Sequence, residues 1–239
     1  MIRLAVVGAR GRMGRLVEEV VAAMPDAEVV HRVGSGDPLA FGEADAVVDV
    51  TLPQVSPDVV RAAGRASLPV LVGTSGWSAD RLDALRAERG EGGPAALVVP
   101  NFSLGAVLAA RFAEQAATWF DSIEIVEAHH AGKADSPSGT AVATAERIAA
   151  ARSGVGPVAA PHTDQRARGQ QVGSVPVHSL RLDGVLAAQD VHFGAPGEVL
   201  TITHRTQSRE AYAAGVRLAV RALPGLTGVV VGLEPLLTP

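Results

Sequence analysis

The chain has 239 residues, a formal charge of −4 and 47% hydrophobic residues, which is enough for a core in one large or two small domains. So small a charge, with no basic run, leaves no electrostatic footprint for nucleic acid, and no apolar stretch reaches membrane-spanning length. Cysteine is absent, which removes disulfides, thiolate metal sites and thiol nucleophiles.

The chain enters a strand pattern at Ile2 with no signal peptide ahead of it, and a cytoplasmic protein is expected. Residues 2–7 form a continuous apolar run, the pattern of a strand buried on both faces. A helix is expected over 13–23, strands over 28–33 and 46–51, a helix over 55–66 and a strand over 69–73. A helix from about Ser78 and a strand over 95–99 complete the first half. Repeated strand–helix units imply an α/β domain with a parallel sheet of Rossmann type.

The pattern changes after Phe102. Ser103 caps a long helix with Leu104, Val107, Leu108 and Phe112 on one face. Residues 123–126 alternate like a half-buried strand, and an alanine-rich helix follows over 141–151. Residues 153–173 read as a long loop. Three strands, over 174–182, 187–193 and 199–204, are joined without helices and suggest an antiparallel sheet. Ser208 caps a last helix to about Leu223, and residues 228–232 suit a short strand.

Between the first strand and first helix lie Gly8, Ala9, Arg10, Gly11, Arg12, Met13 and Gly14. This is the setting of a dinucleotide fingerprint, with Gly-x-x-Gly-x-x-Gly in place of the usual spacing. Gly8 permits the tight turn, Gly11 the approach of a pyrophosphate and Gly14 the close packing of the helix. Two more loops follow strand ends, where ligands bind in such sheets: Gly73, Thr74, Ser75 and Gly76, and then Val99, Pro100, Asn101 and Phe102. Thr51 is a weaker candidate for the same wall. No carboxylate ends the second strand to hold a ribose and repel a phosphate there. Arg32 stands in that region, with Asp37 beyond it as a turn residue, so NADPH is expected to serve at least as well as NADH.

The densest chemistry lies in EAHHAGKADSPSGT, residues 127–140. Pro137 suits a first helical turn, capped by Ser136 or Ser138. Amides at Ser138, Gly139 and Thr140 are expected to face an anion, helped by the helix dipole. Lys133 adds a cation, and His129 or His130 exchanges a proton near neutral pH. A proton donor beside an anion clamp suits reduction of a polarised C=N or C=C bond in an acidic substrate. Adjacent residues of an extended chain point opposite ways, so the two histidines divide their tasks, and the sequence leaves open which faces the substrate. His31, His162, His178, His192 and His204 match no metal spacing, so no metal is expected, and Arg181 and Arg205 read as solvated.

This stretch resembles the signature of the 4-hydroxy-tetrahydrodipicolinate (dihydrodipicolinate) reductases of lysine biosynthesis, and the resemblance extends over nearly the whole chain. It implies a discontinuous nucleotide domain, residues 1–101 and 208–239. The middle segment, 102–207, is then an α+β substrate-binding and tetramerisation domain with an open mixed sheet. It implies NADPH or NADH as cofactor, a cyclic dicarboxylate as substrate and a homotetramer as assembly. His129 becomes the acid–base residue and Lys133 a proton donor. His130, Lys133, Ser138, Gly139 and Thr140 grip the carboxylates. Two alternatives stand beside this: a dinucleotide-binding regulator without turnover, and a reductase of another imine or keto acid.

Overall fold

The computed structural model describes residues 1–237, so Thr238 and Pro239, the end of the expected nucleotide segment, lie outside the described residues. The first elements are β1 (Ile2–Val7), α1 (Arg12–Ala22), β2 (Ala27–Val33), β3 (Ala46–Asp49), α2 (Ser56–Arg65), β4 (Val70–Val72), α3 (Ala79–Arg89) and β5 (Ala96–Val98). There follow α4 (Leu104–Ala116), β6 (Ser122–His129), α5 (Gly139–Ala151), β7 (Gln170–Val172), β8 (Val175–Arg181), β9 (Ala187–Ala195), β10 (Glu198–Thr206), α6 (Ala213–Ala222) and β11 (Val229–Val231). The chain divides into two compact units, one made of Met1–Leu104 with the segment from Tyr212 onward, the other of Gly105–Ala211.

In the first unit six strands form one parallel sheet in the order β11-β5-β4-β3-β1-β2. The expected α/β class is therefore what is seen. Its central strands are buried along their length because their side chains are apolar in both directions: Val47, Val48, Val70, Leu71, Val72, Ala96 and Leu97 have no exposed surface. Helix α1 turns Leu16, Val17, Val20 and Val21 inward, the spacing of an amphipathic helix. The chain leaves β1 to make β2 on one side and β3 on the other. That reversal opens a crevice at the carboxyl ends of β1 and β3.

The second unit carries a five-stranded sheet in the order β10-β9-β6-β8-β7. The three late strands do not form one antiparallel run. β9 and β10 make a hairpin, but β6 inserts beside β9 and runs parallel to β8, so the sheet is mixed. Part of the expected loop over 153–173 is the short edge strand β7, antiparallel to β8 and bracketed by Gly169 and Gly173 at φ 73° and 61°. Its Gln-Gln-Val sequence needs only one neighbour and has no apolar alternation to betray it. Helix α4 also departs from expectation. Its buried residues are Ala106, Ala109, Ala110 and Ala113, while Phe112 is 49% exposed. Small side chains let the helix lie close, and Ala113 and Ala117 share a core with Ile123, Ile125, Ile148 and Phe193. Ser208 caps only a 3-10 turn, through the Glu210 amide, ahead of α6.

Candidate active site

The glycine loop lies at the crevice of the first unit. Gly8 takes φ +88°, and a Cβ there would come 2.6 Å from the Val50 carbonyl oxygen. Gly14 is closed as well, since its Cβ would meet the Ala9 Cα at 2.6 Å. Gly11 differs: its Cβ would meet only the Gly8 oxygen, at 3.1 Å. Gly11 is also the N-cap of α1 and offers no side-chain oxygen. The first-turn amides of Arg12 and Met13 are thus left for an incoming anion, and the loop fits a pyrophosphate.

Beside it is a cleft of about 420 Å³ lined by Arg10, Arg15, Glu18, Arg32, Gly34 and Asp37. Arg32 donates from Nε to Glu18 at 3.1 Å. Asp37 is more than a turn residue. Its carboxylate accepts from the Gly34 amide at 2.8 Å and lies 3.9 Å from Arg10. These exposed pairs are weak, so an incoming phosphate can displace them.

The two other loops meet each other. A Cβ on Gly73 would strike the Phe102 ring at 2.7 Å. Val99 and Phe102 are buried, as is Thr74, whose hydroxyl accepts from the Thr51 amide at 2.8 Å. Asn101 accepts from the Ser103 amide at 2.8 Å, while Ser75 and Pro100 are exposed. Sequence reasoning missed what organises this wall. Asp49, fully buried at the end of β3, accepts from the Thr51 hydroxyl at 2.6 Å and from Ser56. Burial raises the Asp49 pKa, against the pull of these donors. An acid inside an apolar strand signals such a network, but only the fold names its partners.

In the second unit the end of β6 separates the two histidines. Ile123, Ile125, Glu127 and His129 share one parity, and the first three are buried. His130 lies past the strand end and is exposed. Glu127 has no exposed surface and gathers three partners. His129 Nδ1 lies 2.6 Å from its Oε2. Arg181, from the neighbouring strand β8, donates to both carboxylate oxygens at 2.9 and 2.8 Å. The Ser138 amide donates to Oε1 at 3.2 Å. Burial pushes the Glu127 pKa up, but these donors outweigh it and leave it lowered. For His129 burial is the largest influence and lowers its pKa. Glu127 opposes that, and Lys133 and Arg181 add to it.

Two expectations need correction. Arg181 is not solvated: its side chain is 18% exposed and also donates to the Asp135 carbonyl at 2.6 Å. The reason is register, since Arg181 pairs with His129 across β6 and β8. Nor is the Ser138 amide open to a ligand, because the protein's own Glu127 occupies it. Pro137 precedes the helix, and Ser138 is the cap, accepting from the Ala141 amide at 3.2 Å. What stays open at the start of α5 is Gly139, which is exposed and where a Cβ would meet nothing within 4 Å. Lys133 lies in the same loop with Nζ 2.7 Å from both Asp135 oxygens, which lowers the Asp135 pKa. His178 approaches Glu124 at 2.8 Å, and Arg205 lies 3.3 Å from Asp190. No cluster suited to a metal occurs among the described residues.

Comparison with known proteins gives matches over nearly the full length. Residues 2–102 match the family model described as dihydrodipicolinate reductase, N-terminus, and residues 105–237 match its C-terminus counterpart. The 4-hydroxy-tetrahydrodipicolinate reductase of Clavibacter michiganensis is 56% identical, over 98% of this chain and 85% of its own length. The enzyme of that name from Mycolicibacterium smegmatis is 42% identical, over 99% of both chains. Among solved structures, dipicolinate-bound dihydrodipicolinate reductase from Paenisporosarcina superposes with a TM-score of 0.81 at 30% identity. That match covers 99% of this chain and 100% of the other.

Proposed function

The chain belongs to the dihydrodipicolinate reductase family, and from that premise we propose how its residues divide the reaction. The protein is an oxidoreductase of diaminopimelate and lysine biosynthesis, and reduces 4-hydroxy-tetrahydrodipicolinate, or its dehydrated form, to tetrahydrodipicolinate with NADPH or NADH. In our reading the first unit binds the dinucleotide and the second binds the substrate. The amides of the Gly8 to Gly14 loop hold the pyrophosphate. Arg10 and Arg32 face the adenosine ribose. The loops at Gly73, Thr74 and Ser75 and at Val99, Pro100, Asn101 and Phe102 wall the nicotinamide, with the buried Val99 and Phe102 as backing.

One observation carries the substrate reading: a half-buried, partnered histidine, a lysine and a helix start with an exposed Gly139 follow one another within eleven residues. The bound nicotinamide supplies hydride. Gly139 and Thr140 then receive one carboxylate at the helix start, with the Ser138 hydroxyl beside them. His130 and Lys133 meet the other carboxylate. Lys133 leaves Asp135 to do so and balances the charge of the dianion. His129 delivers the proton that completes reduction, with Lys133 as a second donor.

A competition assay tests this. Pyridine-2,6-dicarboxylate is expected to compete with substrate, and pyridine-2-carboxylate to bind about ten- to a hundredfold more weakly, the scale of losing a charged hydrogen-bond partner. Equal inhibition by both sinks the clamp. Run with each nicotinamide, the assay also reads cofactor choice. kcat/KM for NADPH is expected to match or exceed that for NADH, and Arg32→Ala to lower only the NADPH value. A strong NADH preference that Arg32→Ala leaves unchanged removes Arg32 from the site.

The assembly follows from the second sheet. Strand β10 is an edge whose Val199 is 70% exposed, and Leu180 and Leu200 are exposed as well. An edge and apolar surface of this kind need covering. We place four copies around it, in the cytoplasm. A monomeric mass at micromolar concentration, or recovery of the protein outside the cytoplasmic fraction, overturns the respective point.

A further inference from the structure

We propose that Glu127 is the positioning residue of the proton-transfer step, holding His129 in one tautomer and ring orientation while Arg181 and the Ser138 amide hold the carboxylate. The inference rests on the assignment of proton transfer to His129 above. Its basis is the arrangement of one carboxylate among four donors on three elements. The imidazole contact is 2.6 Å, the two guanidinium contacts 2.9 and 2.8 Å, and the amide contact 3.2 Å. With both oxygens restrained, the carboxylate cannot turn, and the bond to Nδ1 fixes the ring.

Stability alone does not explain the cluster. A buried ion pair costs desolvation that apolar residues of similar volume avoid. Here the cost is visible, because the buried Arg181 Nε has no hydrogen-bond partner among the described residues. A carboxylate held in this way does have a chemical use. As an acid, His129 carries protons on both nitrogens. Its Nε2–H bond breaks as the proton passes to the substrate, and the electron pair of that bond stays on Nε2. The neutral ring that remains carries its proton on Nδ1, which is the tautomer Glu127 accepts from. Solvent then returns a proton to Nε2. The same carboxylate caps the Ser138 amide, so the proton donor and the anion-binding helix start are positioned by one group.

The charged groups around His129 give the direction of a pH test. Glu127 lies on its own strand, Arg181 on β8, and Lys133 with its partner Asp135 on the following loop. Its partner across β9 is the uncharged Ala187. Of these, Glu127 favours the imidazolium, and Lys133 and Arg181 oppose it. In Glu127→Gln the imidazolium loses its counter-charge, so its pKa falls. A rate that requires the protonated ring must then decline at lower pH than in the unaltered protein.

The expected result is a fall in kcat of about ten- to a hundredfold at pH 8, the scale of removing a histidine's outer partner. The loss is expected to shrink as pH falls through the His129 pKa, which burial holds below the ordinary histidine value, and the substrate KM to change far less than kcat. A kcat loss that is the same at every pH overturns the proposal, because a structural defect has no reason to follow His129. A second measurement needs no variant. The ¹⁵N shifts of His129 in the unaltered protein are expected to report Nδ1 protonated and Nε2 bare once the ring is neutral. The opposite tautomer overturns the proposal even if Glu127→Gln fails to fold. Full turnover in His129→Gln would instead remove the underlying assignment while leaving the tautomer measurable, so the two failures are distinguishable.

Discussion

His129→Gln is expected to lower turnover by about two to four orders of magnitude, and Lys133→Ala by a comparable factor, the range for a positioned general acid. The fold gives both variants a fair trial. The glutamine amide can still donate to Glu127, which keeps Arg181 and the Ser138 amide in any case. Lys133 is on a loop and, among the described residues, bonds through its side chain only to Asp135, which is itself 58% exposed. Both thermal midpoints are therefore expected close to that of the unaltered protein. The two variants also differ in a way that assigns roles. Lys133 opposes protonation of His129, so its removal raises the histidine pKa. The residual rate of Lys133→Ala is then expected to persist to higher pH, the opposite of the shift expected for Glu127→Gln. Rapid-quench or steady-state rates across pH 6 to 9 measure this. Near-wild-type turnover in both variants removes the assignment of roles.

The parts of this site differ in how far the sequence discloses them. β1 announces itself because a strand covered on both faces must be apolar throughout, and α1 because its apolar residues recur at helical spacing. The parity of Glu127 and His129 on β6 is equally open to reading, since it follows from strand geometry alone. The partner that matters, Arg181, is 52 residues beyond His129 and meets it through the parallel pairing of β6 with β8. That pairing is set by β6 entering between β8 and β9, a choice made by long-range packing and carried by no local pattern. For the same reason the late strands read as one antiparallel group. The Ser138 amide shows the complementary case. The helix start is legible as an anion site, but the anion that fills part of it is a side chain from eleven residues earlier. Asp49 is similar: its oxygens are spent on Ser56 and Thr51, within seven residues, yet the Thr51–Thr74 bond it supports joins two strand ends.

The glycines of the first loop allow a prediction with opposite signatures at two positions three residues apart. Gly14 is a packing position. A methyl group there meets the Ala9 Cα and carbonyl oxygen at 2.6 Å and the Gly8 carbonyl as well. All three are backbone atoms, so no rotamer relieves the contact. Helix α1 must move, and it buries Leu16, Val17, Val20 and Val21. Overpacking of this kind costs about 1–3 kcal/mol or more, against about 1 kcal/mol regained from replacing a helical glycine with alanine. Gly14→Ala is therefore expected to be less stable by about 1–2 kcal/mol, with dinucleotide affinity reduced about a hundredfold or more as the loop is displaced. Gly11 is a ligand position. Its methyl group would meet only the Gly8 oxygen, at a distance a small shift accommodates. Exchanging a glycine N-cap for alanine costs about 0.5–1 kcal/mol at most. The same methyl group stands where the pyrophosphate must approach the first-turn amides. Gly11→Ala is thus expected to keep nearly its full stability while NADPH binds about ten- to a hundredfold more weakly. Thermal unfolding without ligand, and fluorescence titration with NADPH in the absence of substrate, separate the two effects without any turnover. A Gly14→Ala protein as stable as the unaltered one would contradict the packing of α1 on the β1 turn. Undiminished NADPH affinity in Gly11→Ala would place the pyrophosphate elsewhere.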